Sequence, residues 1–172
     1  IANIESTGRK LTIDIDHANM NMDHHSTFDN IYRNAAGNLT GVENIANVNP
    51  VNYNIFALRS DYVHPLSKGR KLETGIKASR VVSDNDLNFT RLTEQGWQPI
   101  TNMSNHFIYT EHILAGYVNF NTKITEKVSL KAGLRGEQTY ADGYSVTLDS
   151  SNYRRYFNLF PSIFVQQKVS DF

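Results

Sequence analysis

Apolar and polar side chains alternate along most of this chain with a period of two. The clearest example is residues 105–140, which read as two strands joined by a tight turn at residues 124–127. On the first strand, apolar Leu114, Val118 and Phe120 occupy alternate positions. Successive side chains on a strand point to opposite faces, so the polar residues between them share the other face. A helix would need apolar residues three and four positions apart, which these segments lack. The pattern predicts a β-hairpin with one apolar face.

The same alternation predicts further long strands on both sides of this hairpin. They lie at residues 11–23, 53–64, 70–82 and 156–169, with a tight turn at residues 65–69. Each is longer than the mean of about 5–6 residues for strands in soluble proteins. About 9–11 tilted residues are enough to cross a bilayer as part of a barrel. The chain is therefore expected to be all-β, an antiparallel up-and-down meander of about six long strands.

Three polar, Asn-rich segments separate the predicted hairpins, at residues 24–52, 84–105 and 141–153. They are predicted to be long loops, and Asp142-Gly143 supplies a turn signal in the third. Long loops at one end and short turns at the other are typical of up-and-down membrane barrels. Small barrels need about eight strands to close. We therefore expect an incomplete segment of a transmembrane β-barrel. The alternative that stays open is a self-contained soluble all-β ligand-binding module.

Composition narrows the classes of function. The 172 residues carry 17 basic and 17 acidic side chains, so there is no positive field for nucleic acid and no nucleic acid partner is expected. Cysteine is absent, and the chain has no Gly-x-Ser-x-Gly elbow, phosphate loop or zinc-binding helix motif. The sequence thus predicts neither an enzyme nor a cofactor. Both ends look cut, so residues 1–172 are expected to be a single fragment of a longer barrel domain.

Several short motifs resemble one known family. They are KLETGIK at residues 71–77, SDND at 83–86, YTE at 109–111, AGLRGE at 132–137 and LFPS at 159–162. Their order and approximate spacing resemble the outer membrane protein β-barrel segment of TonB-dependent outer-membrane receptors. The resemblance extends over essentially the whole chain from about residue 10 onward.

The resemblance implies a barrel of about 22 strands with a plug domain inside it. Such a receptor lies in the outer membrane of a Gram-negative bacterium and imports a scarce nutrient. The implied partners are outer-membrane lipid, the receptor's own plug domain, the TonB energising complex and an unidentified nutrient ligand. Neither the plug nor the remaining strands are expected within residues 1–172, which would form only part of the wall.

One set of polar residues is predicted to face the lumen of the barrel. Its members are Glu73, Lys77, Tyr117, Asn119, Asn121, Lys131, Arg135 and Glu137. They could contact the plug or the passing ligand through charge pairs and hydrogen bonds. The simpler alternative is that they solvate a wet lumen and pair with one another across strands.

Aromatic residues in the predicted loops are the candidates for ligand contact. They are Phe28, Tyr32, Trp97 and Tyr144. Aromatic rings offer a large contact area, and Trp and Tyr add a hydrogen-bonding group. Another three aromatic residues, Tyr109, Tyr140 and Tyr156, are placed near strand ends, where a membrane-interface girdle is expected.

The segment Asp23-His24-His25 carries imidazole and carboxylate groups that could bind a transition metal. No second cluster is placed to complete a coordination shell. We interpret these side chains as solvated polar residues, and no metal site is predicted.

The apolar face of the sheet must be covered when no membrane is present. Seven of its side chains are expected to be buried: Ile13, Ile76, Leu114, Val118, Leu130, Leu134 and Ile163. Large exposed apolar patches are rare on soluble monomers. We expect curling of the sheet, collapse of a long loop onto it, or a homodimer of the fragment, whose like faces match under two-fold symmetry.

Overall fold

The computed structural model of the chain describes residues 2–6 and 8–169, and it is almost entirely β-strand. The strands are β1 (Ala2–Ser6), β2 (Arg9–Arg33), β3 (Leu39–Pro65), β4 (Lys71–Thr93), β5 (Gly96–Pro99), β6 (Asn105–Lys123), β7 (Val128–Ser145) and β8 (Ser150–Gln167). The chain ends that prompted the expectation of a fragment, residues 1 and 170–172, lie outside the described part. Within that part, no helix is long and apolar enough to cross a membrane.

The strands form one antiparallel sheet in the order β1-β2-β3-β4-β6-β7-β8. Short β5 lies off this path. It pairs with residues 90–93 of β4, whereas β6 pairs with residues 71–87 of the same strand. Among the described residues, β1 and β8 do not pair with each other, so the sheet is open. The prediction of an all-β antiparallel meander is confirmed, with β1 and β5 added to the expected strands. The turns predicted at residues 65–69 and 124–127 are confirmed as well.

The prediction of a long loop at residues 24–52 is wrong, because this segment belongs to the longest hairpin of the sheet. β2 and β3 contain 25 and 27 residues and stay paired up to Arg33 and Leu39, with a short turn between them. Polar side chains on both faces hide the alternation, but the backbone ladder does not depend on side-chain polarity. Side chains also bond across the pair, as where Asn44 Nδ2 donates to Asp29 Oδ1 at 2.5 Å.

The predictions of long loops at residues 84–105 and 141–153 are also wrong, because most of both segments is strand. Most of residues 84–105 is paired backbone, because β4 continues through the first half and β5 follows it. In the third segment, Asp142 and Gly143 lie inside β7 and not at a turn. β8 begins at Ser150, earlier than the alternation alone indicated.

Burial distinguishes the two faces of the sheet. The buried side chains on the described strands lie on one face: Ile45, Asn47, Val51, Ala115, Thr139, Ala141 and Ser145. Because the sheet is a single layer, crowding on one face means that the sheet curls toward it. We call this the concave face. It holds the odd-numbered positions of β3, β4, β6 and β7 and the even-numbered positions of β2 and β8. The opposite face is the convex face.

The convex face carries an apolar band at one height of the sheet. Its members are Leu11, Ile13, Ile15, Leu58, Leu72, Ile76, Leu114, Val118, Phe120, Leu130, Leu134, Phe157, Leu159, Ile163 and Val165. On β8 the band extends from Phe157 to Val165, close to the roughly 9–11 residues that cross a bilayer. Past the band, away from the turn at residues 65–69, the strands continue with polar residues prominent on both faces. We call these continuations the upper segments.

The apolar band remains open in the isolated chain. Ile163 is 74% exposed and Ile76 is 66% exposed. The expectation that curling or a collapsed loop would bury the band is therefore wrong, because the residues expected to fold back as loops are held in the sheet. The homodimer remains a prediction.

Candidate functional site

The residues predicted to face a lumen share the concave face at the height of the apolar band. Glu73 on β4 lies opposite Asn119 on β6. Tyr117 on β6 lies opposite Gly75 on one side and Arg135 on the other. The remaining members of the set fall on the same face by the same register. The period-two pattern therefore grouped these side chains correctly, and their exposure to a lumen stays a prediction.

Glu73 is the centre of one charge cluster on this face. Lys71 Nζ lies 2.9 Å from Glu73 Oε1, and Lys131 Nζ lies 2.9 Å from Glu73 Oε2. Lys131 is on β7 and Glu73 is on β4, so their ion pair passes over β6. This contact ties three neighbouring strands together independently of the backbone ladder.

A second cluster centres on Asp61, which the sequence did not identify. The Tyr117 hydroxyl on β6 donates to Asp61 Oδ1 on β3 at 2.6 Å, and Arg59 Nε lies 2.5 Å from Asp61 Oδ2. Between them on β4 is Gly75, where an added Cβ would lie 2.5 Å from Tyr117 Cε1. The absence of a side chain at Gly75 therefore provides the path by which Tyr117 reaches Asp61.

Not every charge on this face is paired. Arg135 Nη2 donates to Glu137 Oε2 at 2.8 Å, so these two neutralise each other. Lys77, by contrast, is exposed and has no ion pair with any side chain of residues 8–169. Asp14, in the same cross-strand row, has a buried Oδ1 without a hydrogen-bond partner in the described structure. Exposed Lys77 is therefore free to interact with a group beyond the sheet, whereas the unpartnered Asp14 oxygen is buried within it.

Higher on the concave face, a groove of about 400 Å³ is lined mainly by aromatic and polar side chains from β6 and β8. It contains Phe107, Tyr109, Tyr156, Arg154 and Asn152. The Tyr109 hydroxyl donates to Glu111 Oε1 at 2.8 Å, and this bond to a carboxylate raises the pKa of Tyr109. Sequence reasoning missed the groove because β8 was expected to begin only at residue 156.

A third polar cluster lies in the upper segments of β2, β3 and β4. The Tyr32 hydroxyl donates to Glu43 Oε2 at 2.9 Å, and Arg91 Nε lies 2.6 Å from Glu43 Oε1. Asn30 Nδ2 also donates to Glu43 Oε2, at 3.3 Å. The Tyr32 hydrogen bond, with help from Asn30 and Arg91, lowers the pKa of Glu43.

The four aromatic residues predicted for ligand contact do not form one site. They lie in strands and not in loops, which corrects that part of the prediction. Phe28 and Tyr32 are on the concave face, whereas Trp97, opposite Leu92, and Tyr144 are on the convex face. Because the pairs are on opposite faces, a single ligand cannot contact all four.

Of the three residues predicted for a membrane-interface girdle, one lies on the convex face, and its place in a girdle stays a prediction. Tyr140 lies on the convex face just above the apolar band, and Arg155 stacks over its ring with 5.2 Å between Cζ and the ring centroid. Tyr109 and Tyr156 are on the concave face, so their assignment to a lipid-facing girdle is wrong.

The imidazoles of His24 and His25 project to opposite faces of β2. Asp23 shares a face with His25 only. Nowhere in the described part of the chain do three His, Cys, Asp or Glu side chains come together as a metal site would require.

Comparisons with known proteins agree with this architecture. The family model described as "Outer membrane protein beta-barrel family" matches residues 2–172. Among solved structures, the ferric citrate transporter FecA in its unliganded form superposes with a TM-score of 0.57 at 12% sequence identity. The match covers 95% of this chain and 25% of that chain, so this chain spans about a quarter of the transporter's length. No curated protein sequence matches the chain significantly.

Proposed function

The chain belongs to the outer membrane protein β-barrel family, and from this premise we propose that it forms part of the wall of a TonB-dependent receptor that imports a scarce nutrient. Its location is the outer membrane, as the family states, and the host would be a Gram-negative bacterium. The plug domain and the strands that complete the barrel would be supplied by other parts of the full-length protein.

The observation that carries this proposal is the contrast between the two faces at one height. The convex band is apolar and exposed, with Leu159 58% exposed. Directly behind it, the concave face carries ion pairs such as that between Lys131 and Glu73. Transmembrane barrels alternate apolar residues facing lipid with polar residues facing the lumen. A self-contained soluble module would instead bury its apolar face.

The asymmetry along the strands supports an orientation. On one side of the apolar band the strands end almost at once in tight turns, as at residues 124–127. On the other side β2 and β3 continue for more than a dozen residues. Outer-membrane barrels have short periplasmic turns and longer extracellular connections. The upper segments would therefore project outside the cell.

Two concave regions would serve transport. The charge clusters around Glu73 and Asp61 would line the lumen and stiffen the wall against the plug, and unpaired Lys77 would contact the plug or an anionic ligand. The aromatic groove containing Tyr156 and Arg154 would meet the nutrient as it enters from outside. A ferric citrate transporter shares the fold, but at this identity its ligand is not transferred.

Uptake in a strain that lacks the full-length gene would test the proposal. Labelled nutrients of several classes, including ferric chelates, glycans and peptides, are supplied at limiting concentration. We expect uptake of one class to fall, and to fall equally when the TonB energising complex is disabled instead. Unchanged uptake of every class would contradict a receptor role. A loss that does not depend on the energising complex would contradict TonB dependence alone.

A further inference from the structure

A line of basic side chains crosses the convex face at the upper boundary of the apolar band. Arg80 on β4 pairs with His112 on β6, which pairs with Tyr140 on β7, which pairs with Arg155 on β8. These four residues therefore form one row perpendicular to the strands. Neighbouring strands lie about 4.8 Å apart, so the row is roughly 15 Å long.

The row immediately below this one is mostly apolar. Two residues down each strand are Ala78, Leu114, Gln138 and Phe157. Two residues span about 7 Å along a strand. The charged groups therefore begin within one row of the surface that would contact acyl chains. A groove of about 720 Å³ spans these two rows and the row above them. Leu58 and Leu114 line its lower end, Arg80 and His112 its middle, and Thr110, Tyr153 and the Asp142 carboxylate its upper end.

The basic groups in this row are free to bind an anion. Arg80 and His112 are exposed and have no hydrogen bond or ion pair within the described residues. Arg155 contacts the ring of Tyr140, which holds the guanidinium in place without neutralising it. One carboxylate, Asp142, lies on the same face two residues above Tyr140, and the next, Asp84, is already bonded to His106 at 2.7 Å.

We propose that this row binds the phosphate groups of an anionic lipid in the outer leaflet of the membrane. Guanidinium groups bind phosphate in a bidentate manner, so Arg80 and Arg155 supply the specific contacts. The acyl chains lie on the apolar band below, against Leu114 and Phe157. The groove has basic side chains directly above an apolar surface, as a lipid with a charged headgroup and acyl chains requires. A soluble anion would make no contact with the apolar lower half of the groove. The inference uses the orientation given under the proposed function.

The test is lipid retention by the full-length protein. The protein is purified in detergent, incorporated into nanodiscs that contain diphosphorylated lipid A in phosphatidylcholine, and the co-purifying lipid A is counted by native mass spectrometry. We expect the double variant Arg80→Gln/Arg155→Gln to retain several-fold less lipid A than the unaltered protein. The control is Arg154→Gln, which removes one of the same positive charges at nearly the same height, but from the concave face, and should retain as much lipid A as the unaltered protein. The single variant Arg155→Gln, which is matched to it in charge, should retain less.

Further arms separate the alternatives. Dephosphorylated lipid A should be retained weakly by every variant, and inorganic phosphate alone should not compete at equal concentration. The charge-preserving variant Arg80→Lys/Arg155→Lys, checked for a heat-resistant folded barrel on a gel, should retain an intermediate amount. Equal retention by the Gln double variant and the unaltered protein would overturn the inference, as would equal loss in Arg154→Gln or full competition by inorganic phosphate. Because neither nutrient nor energising complex is present, this result is independent of whether transport is confirmed.

Discussion

The ring of Tyr117 lies across Gly75, and its hydroxyl donates to Asp61 Oδ1 at 2.6 Å. A residue on β6 thereby bonds to β3 over the intervening strand. An aromatic ring that covers a strand glycine fixes register and compensates for the missing side chain. The contact therefore contributes to the curvature and pairing of the wall as well as to its polarity.

We predict that Gly75→Ala destabilises the folded barrel by about 1–3 kcal/mol through overpacking. The new Cβ would lie 2.5 Å from both Tyr117 Cε1 and Asp61 Oδ1 and 2.9 Å from the Ser60 carbonyl oxygen, so the ring must move and its hydrogen bond is strained. Urea unfolding of the full-length protein in lipid vesicles measures the effect. Gly116→Ala is the control, since the nearest atom to its new Cβ is 3.9 Å away. Equal effects at the two glycines would contradict the role of Tyr117.

The upper hairpin should lose stability in acid through Glu43. Its folded-state pKa is lowered from the ordinary value of 4.5, chiefly by the Tyr32 hydrogen bond. Its ionised form therefore stabilises the hairpin above pH 4.5, and that contribution is lost as the pH falls through the lower folded-state value. Amide protection in β2 and β3, which is the exchange rate corrected for the slower intrinsic exchange at lower pH, should decrease in that range.

The variant Glu43→Gln should remove this pH dependence, whereas Glu126→Gln, in the turn at residues 124–127, should preserve it. If amide protection in β2 falls in acid as much in Glu43→Gln as in the unaltered protein, another group controls the hairpin.

The aromatic groove on the upper concave face should affect nutrient binding. Tyr156→Ala removes one wall of the groove, so we expect the concentration of nutrient needed for half-maximal uptake to rise about tenfold, which corresponds to about 1.4 kcal/mol. Tyr153→Ala, three residues away on the convex face, should leave uptake unchanged. The measurement is concentration-dependent uptake in whole cells with equal amounts of receptor at the surface. A larger effect at Tyr153 than at Tyr156 would place the ligand elsewhere.

Alternation alone was sufficient to predict the strands at the height of the apolar band. There one face of the sheet is apolar and the other is polar, so the period of two is visible, and the shared face of Glu73, Tyr117 and Lys131 follows from it. The upper segments carry polar residues on both faces, so nothing in the side-chain pattern separates strand from loop. Backbone hydrogen bonding between β2 and β3 forms the strands there, and the side-chain pattern of residues 24–52 does not reveal it.

Contacts between strands were the other part that the sequence did not predict. Asp61 accepts a hydrogen bond from a residue 56 positions away, and its role depends on a register that spans three strands. Arg154 and Asn152 could join the groove only if β8 began early enough to include them. In both cases the residue type alone does not indicate a role, because the role depends on side chains contributed by other strands.

Charge should be tolerated on one face of β8 and not on the other. Leu159→Lys places a cation on the apolar band, where a central lysine costs about 2–4 kcal/mol in a membrane barrel. Asn158→Lys, on the concave face opposite Glu137, should be nearly neutral or stabilising. Folding yield into lipid vesicles and the urea midpoint measure the difference. Equal tolerance at the two positions would show that the convex face does not contact lipid.

The most direct test of the lipid-facing band is a cysteine scan along β8 in cells, since this chain contains no cysteine. Single cysteines are placed from residue 156 to residue 165 of the full-length protein and treated with a membrane-impermeant maleimide. Side chains on the two faces of β8 are similarly exposed in the sheet itself, so any protection must come from the surroundings. We expect alternation, with labelling at Asn158 and Ser162 and protection at Leu159 and Ile163. Uniform labelling on both faces would contradict it.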